Sequence, residues 1–170
     1  FRINKFSEAI DNFRKSINLN AYWKAYQVLG LALIKTNEQA AAIDSLKKSI
    51  ELKKYWKSYQ LLGFELMNLN RFEESIKAYL KSVELKGHWK SYTELGQVLL
   101  KSNKIPESIN SFQISLTYQK NWITYYYLGW AFIEAKQFKQ AIDCFQISIG
   151  FNSYWKSYEG LGSAFLKINK

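Results

Sequence analysis

The sequence predicts an all-α protein, a solenoid of stacked antiparallel helix pairs with about ten short helices. Three observations carry that expectation. Trp23, Trp56, Trp89, Trp122 and Trp155 stand 33 residues apart. Whole columns repeat in phase with them: Tyr26, Tyr59, Tyr92, Tyr125 and Tyr158, then a leucine and a glycine at Leu29-Gly30, Leu62-Gly63, Leu95-Gly96, Leu128-Gly129 and Leu161-Gly162. Each period also holds two apolar stripes at helical spacing, separated by Asn37, Asn70, Asn103 or, once, Lys136.

The first helix of each period follows from Tyr26, Leu29 and Leu33, which fall at i, i+3 and i+7 and bury one face of a 3.6-residue helix. Gly30 lies beside that stripe. Glycine there costs about 1 kcal/mol of helix propensity, so its recurrence implies close approach of a neighbouring helix. The asparagines come next. Asn tolerates the left-handed conformation that commonly closes a helix, so the chain is expected to turn at these positions.

The second helix has its own stripe, for example Ile109, Phe112 and Leu116, or Ile142, Phe145 and Ile149. The one proline, Pro106, sits where such a helix should begin, a position that needs no backbone N–H. Helices shorter than about 12 to 15 residues are marginal alone, so stacking on neighbours must supply the missing burial. The register divides the chain into a partial repeat, 1–20, four full repeats, 21–53, 54–86, 87–119 and 120–152, and a partial repeat, 153–170. It aligns residues 1–4 with the end of a first helix and residues 168–170 with the same place five repeats later. The segment therefore reads as an excerpt of a longer single array.

At these residues the chain resembles the tetratricopeptide repeat (TPR) family. The family pattern W-x2-L-G-x2-Y followed by A-x3-F is matched by Tyr26-x2-Leu29-Gly30-x2-Leu33 with Ala42-x3-Leu46, and by Tyr59-x2-Leu62-Gly63-x2-Leu66 with Ser75-x3-Tyr79. A third match is Tyr125-x2-Leu128-Gly129-x2-Phe132 with Ala141-x3-Phe145. The departures are Tyr at the usual Trp position, Trp three residues earlier, and Lys54, Gly87, Lys120 and Ser153 where a proline is usual. The resemblance implies a right-handed superhelix whose concave groove holds a protein or peptide.

Composition restricts the alternatives. The chain is 48% hydrophobic, enough to bury a core, and its longest nearly apolar run, 125–133, is far short of the ~18 residues of a membrane span. Cys144 is the single cysteine and His88 the single histidine, so no internal disulfide, cysteine zinc cluster or multi-histidine site can form in this segment. Cys144 reads as a small packed residue and His88 as a boundary residue. The repeated glycines stand 33 residues apart and form no phosphate-binding cluster, and Glu73, Glu74, Glu51, Glu84 and Glu107 sit at helix starts or on solvent-facing positions. Neither catalysis nor a cofactor is expected. Cysteine scarcity fits a reducing compartment, the cytoplasm.

What remains is the face opposite the buried stripe of each first helix, expected to line the groove. On the first full repeat it comprises Lys24, Gln27, Leu31, Ile34 and Lys35, within about 100° of arc. Its equivalents are Lys57, Gln60, Phe64, Met67 and Asn68; Lys90, Thr93, Gln97, Leu100 and Lys101; Ile123, Tyr126, Trp130, Ile133 and Glu134; and Lys156, Glu159, Ser163, Leu166 and Lys167. Seven lysines against two glutamates give this stripe a charge of +5, half of the formal +10. Such a surface attracts acidic segments and raises their association rate, an effect that salt weakens. Alternatively the lysines only keep an aromatic-rich array in solution.

The fourth repeat places Ile123, Tyr126 and Trp130 where its sisters are mostly polar. This patch fits an interface anchor and equally fits packing against a neighbouring repeat or second copy. The Trp column, recurring in every unit, points to repeat-to-repeat packing. TPR domains that clamp the acidic C-termini of chaperones use Lys, Asn and Arg at groove positions that here hold Gln27, Leu31, Gln60, Phe64, Thr93 and Gln97, so no such clamp is expected. Two other classes stay open: an RNA-binding helical repeat, suited by the charge but lacking Arg clusters, and a recruiting arm of an enzyme such as a glycosyltransferase, sulfotransferase or methyltransferase. Exposed terminal repeats could also stack on further repeats or pair with a second molecule.

Overall fold

The computed structural model describes residues 2–168, and side chains over 5–168. Among these residues it contains ten α-helices and no strand: α1 (Arg2–Leu19), α2 (Trp23–Lys35), α3 (Gln39–Leu52), α4 (Trp56–Asn68), α5 (Phe72–Leu85), α6 (Trp89–Lys101), α7 (Ile105–Tyr118), α8 (Trp122–Glu134), α9 (Phe138–Phe151) and α10 (Trp155–Ile168). The architecture is that of an α-solenoid. It divides into two compact units, Phe1–Lys86 and Gly87–Lys170. The division falls where the register separates 54–86 from 87–119.

Each pair is antiparallel: its two helices are joined by a three-residue turn, and hydrogen bonds link them both near the turn and at the opposite end. Ser75 Oγ donates to the carbonyl of Gly63 at 2.7 Å across the α4–α5 turn. In the α6–α7 pair, Ser108 Oγ donates to the Gly96 carbonyl at 3.0 Å and Ser115 Oγ to the Trp89 carbonyl at 2.8 Å. The turns are built as the asparagines suggested. Asn37, Asn70, Asn103 and Lys136 have φ of 62°, 58°, 62° and 59°. The next amide returns to the last turn of the first helix, from Glu38 to Leu33, Arg71 to Leu66 and Lys104 to Leu99 at 2.9 Å, and from Gln137 to Phe132 at 2.8 Å. Pro106 lies at the start of α7.

The glycine column lets each second helix sit close to its first. In unit 1 a Cβ on Gly30 would lie 2.8 Å from Leu46 Cγ, and one on Gly63 3.0 Å from the Tyr79 ring. In unit 2 the ring of Phe112 occupies the space beside Gly96, and that of Phe145 the space beside Gly129. Leu46, Tyr79, Phe112 and Phe145 are fully buried, and they form the centre of each pair.

One expectation fails at the N-terminus. The register puts residues 1–4 at the end of a first helix, yet α1 runs from Arg2 to Leu19 as one helix that includes Asn4. The left-handed break at Asn37 is stabilised by α2 folding back on α3. Near Asn4 no described first helix precedes, and continuing the helix adds a hydrogen bond per residue. Phe1, Asn169 and Lys170, which the same expectation covers, lie outside the described residues.

Candidate functional site

The first helices α2, α4, α6, α8 and α10 present the expected face in two layers. Lysines at the helix starts, Lys24, Lys57 and Lys90, and residues at the far end, Lys35, Asn68, Lys101, Glu134 and Lys167, are exposed. Between them in unit 1 stand Leu31 and Phe64, 38% and 37% exposed. Lys156 is half-buried, with its ammonium 5.3 Å from the centre of the Trp155 ring. Lys57 similarly lies 5.6 Å from Trp56, and Lys90 comes within 3.9 Å of Glu94, which lowers the positive field at that repeat.

The column of Gln27, Gln60, Thr93, Tyr126 and Glu159 behaves differently from its neighbours. Gln60 and Thr93 are buried, and Gln27 is half-buried, so these side chains serve the stack. In unit 1 Gln27 Nε2 donates to Ser58 Oγ at 2.9 Å, and Ser58 shares a hydrogen bond of 2.9 Å with Ser49. In unit 2 the Thr93 hydroxyl meets Ser115 Oγ at 2.8 Å and Thr124 Oγ1 at 2.7 Å. Ser148 and Ser157 repeat the link between α9 and α10 at 3.0 Å. A polar ladder thus joins consecutive pairs inside each unit, and burial of its hydroxyls is offset by mutual hydrogen bonding. The serine column was visible in the sequence. Its partner column of Ser58, Thr124 and Ser157, each nine residues further on, was the signal that reading overlooked.

Met67 and Ile133 are also buried, whereas Ile34 and Leu100 are half-buried and Leu166 is exposed. Gln97 and Ser163 are half-buried, and Glu159 is exposed.

In unit 2 the aromatic patch is folded inward in part. The half-buried Trp130 ring meets Phe145 edge to face at 5.7 Å and Tyr126 at 6.5 Å. Tyr126 also contacts Phe145 at 6.2 Å and Tyr154 at 6.0 Å. Trp130 Nε1 is buried without a hydrogen-bond partner. Ile123 is half-buried at the start of the same helix. Rings that pack internally still leave part of their surface at the face, so the patch has both a structural and an accessible side.

The Trp column packs between repeats. Trp23 lies 4.9 Å from Tyr55 at the start of α4, and Trp122 lies 4.8 Å from Tyr154 at the start of α10. Lysines cover the outer faces: Lys53 is 4.7 Å from the Trp23 ring and Lys86 is 5.2 Å from Trp56. His88 caps α6, its Nδ1 accepting from the Lys90 amide at 3.2 Å. Burial, with the Asp143 charge adding to it, pushes the Cys144 thiol up to about 12, so it is an unreactive packed group.

Glu65 is a further residue that the sequence reading passed over. It is only 2% exposed, and its column otherwise holds Ala32, Val98, Ala131 and Ala164. Burial raises its carboxyl above the usual range, opposed by the Asn68 amide donating at 3.3 Å. A carboxylate in an Ala/Val column was the available signal.

Repeated helix pairs of this geometry, with a ladder between pairs and exposed first-helix faces, define a protein-interaction solenoid. The chain belongs to the tetratricopeptide repeat family: family models of that repeat match residues 24–55, 57–88 and 124–149. No curated protein sequence matches it. Among solved structures, MamA is similar at 19% identity over 88% of this chain and 90% of that one, with a TM-score of 0.83. YrrB, described as a TPR protein with an unusual peptide-binding site, is similar at 17% identity over 92% and 84%, with a TM-score of 0.80. The C-terminal part of a TPR repeat-containing protein from Cytophaga hutchinsonii is similar at 16% identity over 99% and 69%, with a TM-score of 0.82. At these identities the likeness shows the fold. No helix among the described residues is long and apolar enough to cross a membrane.

Proposed function

We propose that the chain is a non-catalytic scaffold whose first-helix faces hold an extended acidic segment of a partner protein. The observation that carries this reading lies in unit 1. Exposed Leu31 and Phe64 stand in one column, with Lys24 and Lys57 at one end of their helices and Lys35 at the other. Apolar contacts would supply affinity, while the ammonium groups would favour carboxylates and speed encounter. Taken by itself, unit 2 carries Lys90, Lys101, Lys156 and Lys167 on the same helix face, with Ile123, Tyr126, Trp130 and Gln97 as half-buried contact surface. The peptide-binding site in the description of YrrB supports a peptide as the class of ligand. On this reading the repeats are 21–53, 54–86, 87–119 and 120–152, and the chain works in the cytoplasm, where its single buried thiol stays reduced.

Fluorescence anisotropy against an arrayed library of extended peptides, acidic and apolar residues mixed, tests the reading. Lysine-for-glutamate versions of the same peptides serve as control. The chain should prefer the acidic set, lose affinity as salt rises, and bind about tenfold more weakly after Lys24→Glu and Lys57→Glu together. Equal binding of acidic and basic sets, or no effect of the charge reversal, refutes it.

A further inference from the structure

In each antiparallel pair the start of the first helix and the end of the second lie together on one rim, and bonds from Ser115 to the Trp89 carbonyl and from Ser148 to the Trp122 carbonyl hold them there. The last residue of α3, α5, α7 and α9 is apolar and about half exposed on that rim: Leu52 52%, Leu85 45%, Tyr118 55% and Phe151 54%. Leu52 and Tyr118 each belong to a full repeat that another full repeat follows within the same unit. Their exposure is therefore a property of the repeat and does not depend on where the segment stops.

The two units differ in what surrounds this column. In unit 1 each leucine is followed by an exposed lysine whose ammonium lies over a tryptophan at the start of a first helix: Lys53 is 4.7 Å from the Trp23 ring centre and Lys86 5.2 Å from that of Trp56. Lys54 adds another exposed charge. The carboxylates just before the leucines, Glu51 and Glu84, are held by Lys48 at 2.8 Å and Lys81 at 2.7 Å, so they leave the rim positive. In unit 2 the positions of Lys53 and Lys86 hold Gln119 and Asn152, and Tyr118 and Phe151 stack on Tyr92 and Tyr125 with ring centres 5.6 Å and 6.0 Å apart. There the column packs on rings of its own unit, whereas in unit 1 it is joined to cations.

We propose that the rim of unit 1 rests on the surface of an anionic lipid bilayer. Its side chains match the layers of a membrane interface: ammonium groups for the phosphates, the half-buried rings of Trp23, Tyr55 and Trp56 for headgroup depth, and Leu52 and Leu85 for the acyl boundary. Charge complementarity selects this occupant, because lysines beside an anionic lipid surface are attracted to it while the leucines gain apolar contact. Stacking of nucleic-acid bases is disfavoured, since Lys53 and Lys86 already cover the outer faces of Trp23 and Trp56. The contact is peripheral, as no helix among the described residues is long and apolar enough to cross a membrane. It uses neither Leu31 nor Phe64, so it stands or falls separately from acidic-peptide capture.

Co-sedimentation of the 170-residue chain with vesicles provides the test, phosphatidylcholine alone against phosphatidylcholine mixed with phosphatidylserine. The chain should pellet with the mixed vesicles and not with the neutral ones, and should be released as salt rises. Each lysine near an anionic surface is worth about fivefold in binding, so Lys53→Gln with Lys86→Gln should weaken it about thirtyfold. Lys47→Gln with Lys77→Gln removes the same net charge from exposed positions midway along α3 and α5, and should weaken it about threefold or less. Leu52→Ser with Leu85→Ser keeps the charge and should weaken vesicle binding about tenfold, with helicity by circular dichroism and acidic-peptide anisotropy unchanged. Binding without preference for phosphatidylserine, equal losses from the two lysine pairs, or full binding by a folded leucine variant overturns the proposal. So does a Lys53 and Lys86 variant that keeps its vesicle binding and loses binding to polyuridine or to acidic peptides, which would assign the rim to nucleic acid or protein.

Discussion

Gly96→Ala and Gly162→Ala are the same chemical change in the same column of the repeat, yet they should move stability in opposite directions. At both sites alanine recovers helix propensity of about 1 kcal/mol. At Gly96 the new Cβ would sit 2.5 Å from Phe112 Cε1 and 2.6 Å from Cδ1. Carbon atoms pack at ~3.5 to 4.0 Å, so the ring must retreat by about 1 Å. Phe112 has no room to do so cheaply: it is fully buried and stacked on Tyr127 with ring centres 6.2 Å apart. Overpacking of this kind costs ~1 to 3 kcal/mol, which leaves Gly96→Ala destabilising by about 1 kcal/mol. At Gly162 nothing lies within 4 Å, so the propensity gain survives whole and the variant gains about 1 kcal/mol. Urea unfolding followed by far-UV circular dichroism measures both. The two variants should differ by about 2 kcal/mol, roughly thirtyfold in the folding equilibrium. If Gly96→Ala stabilises as much as Gly162→Ala, the glycine column is not there to admit the second helix, and the packing argument falls.

Three further outcomes follow from particular contacts. Thr93→Val keeps the shape but removes the hydroxyl shared with Ser115, Thr124 and the Trp89 carbonyl. Ser115 and Thr124 keep other partners, so urea unfolding should show a loss of about 1 to 2 kcal/mol, recovered in Thr93→Ser. Glu65 has its carboxyl raised in the folded chain, so the folded state favours the neutral form. Its contribution is fully present below the ordinary carboxylate value of about 4.3 and is lost as pH rises through the folded value. Glu65→Gln should therefore gain on the order of 1 kcal/mol at neutral pH and nothing in acid, read from urea midpoints at the two pH values. An equal gain at both would show that ionisation is not the cause. Lys136→Asn should raise the melting temperature by relieving a left-handed lysine at φ 59°, a gain of roughly 0.5 to 1 kcal/mol. An unchanged melting temperature would mean that the turn holds lysine without strain.

The helix pairs were legible in the sequence because burial chemistry recurs with the repeat. Each repeat must cover the same stripe, close the same turn and admit the same second helix, so Leu29 and Gly30 return every 33 residues, Asn37 does so with Lys136 as the exception, and their columns announce the roles. The exposed face was legible only in outline. Lys24, Gln27 and Leu31 share an arc of helix, but which of them meets solvent depends on how that helix is rotated against the next, and a single helix carries no record of its neighbour's rotation. Tertiary packing alone turns Gln27 and Thr93 toward hydroxyls of the following repeat, folds Trp130 onto Phe145, and carries Glu65 into a column of alanine and valine. Periodicity sets what each face must bury, whereas contact across the interface decides which polar groups are buried with it, because hydrogen bonds depend on ångström-scale placement that spacing along the chain does not encode.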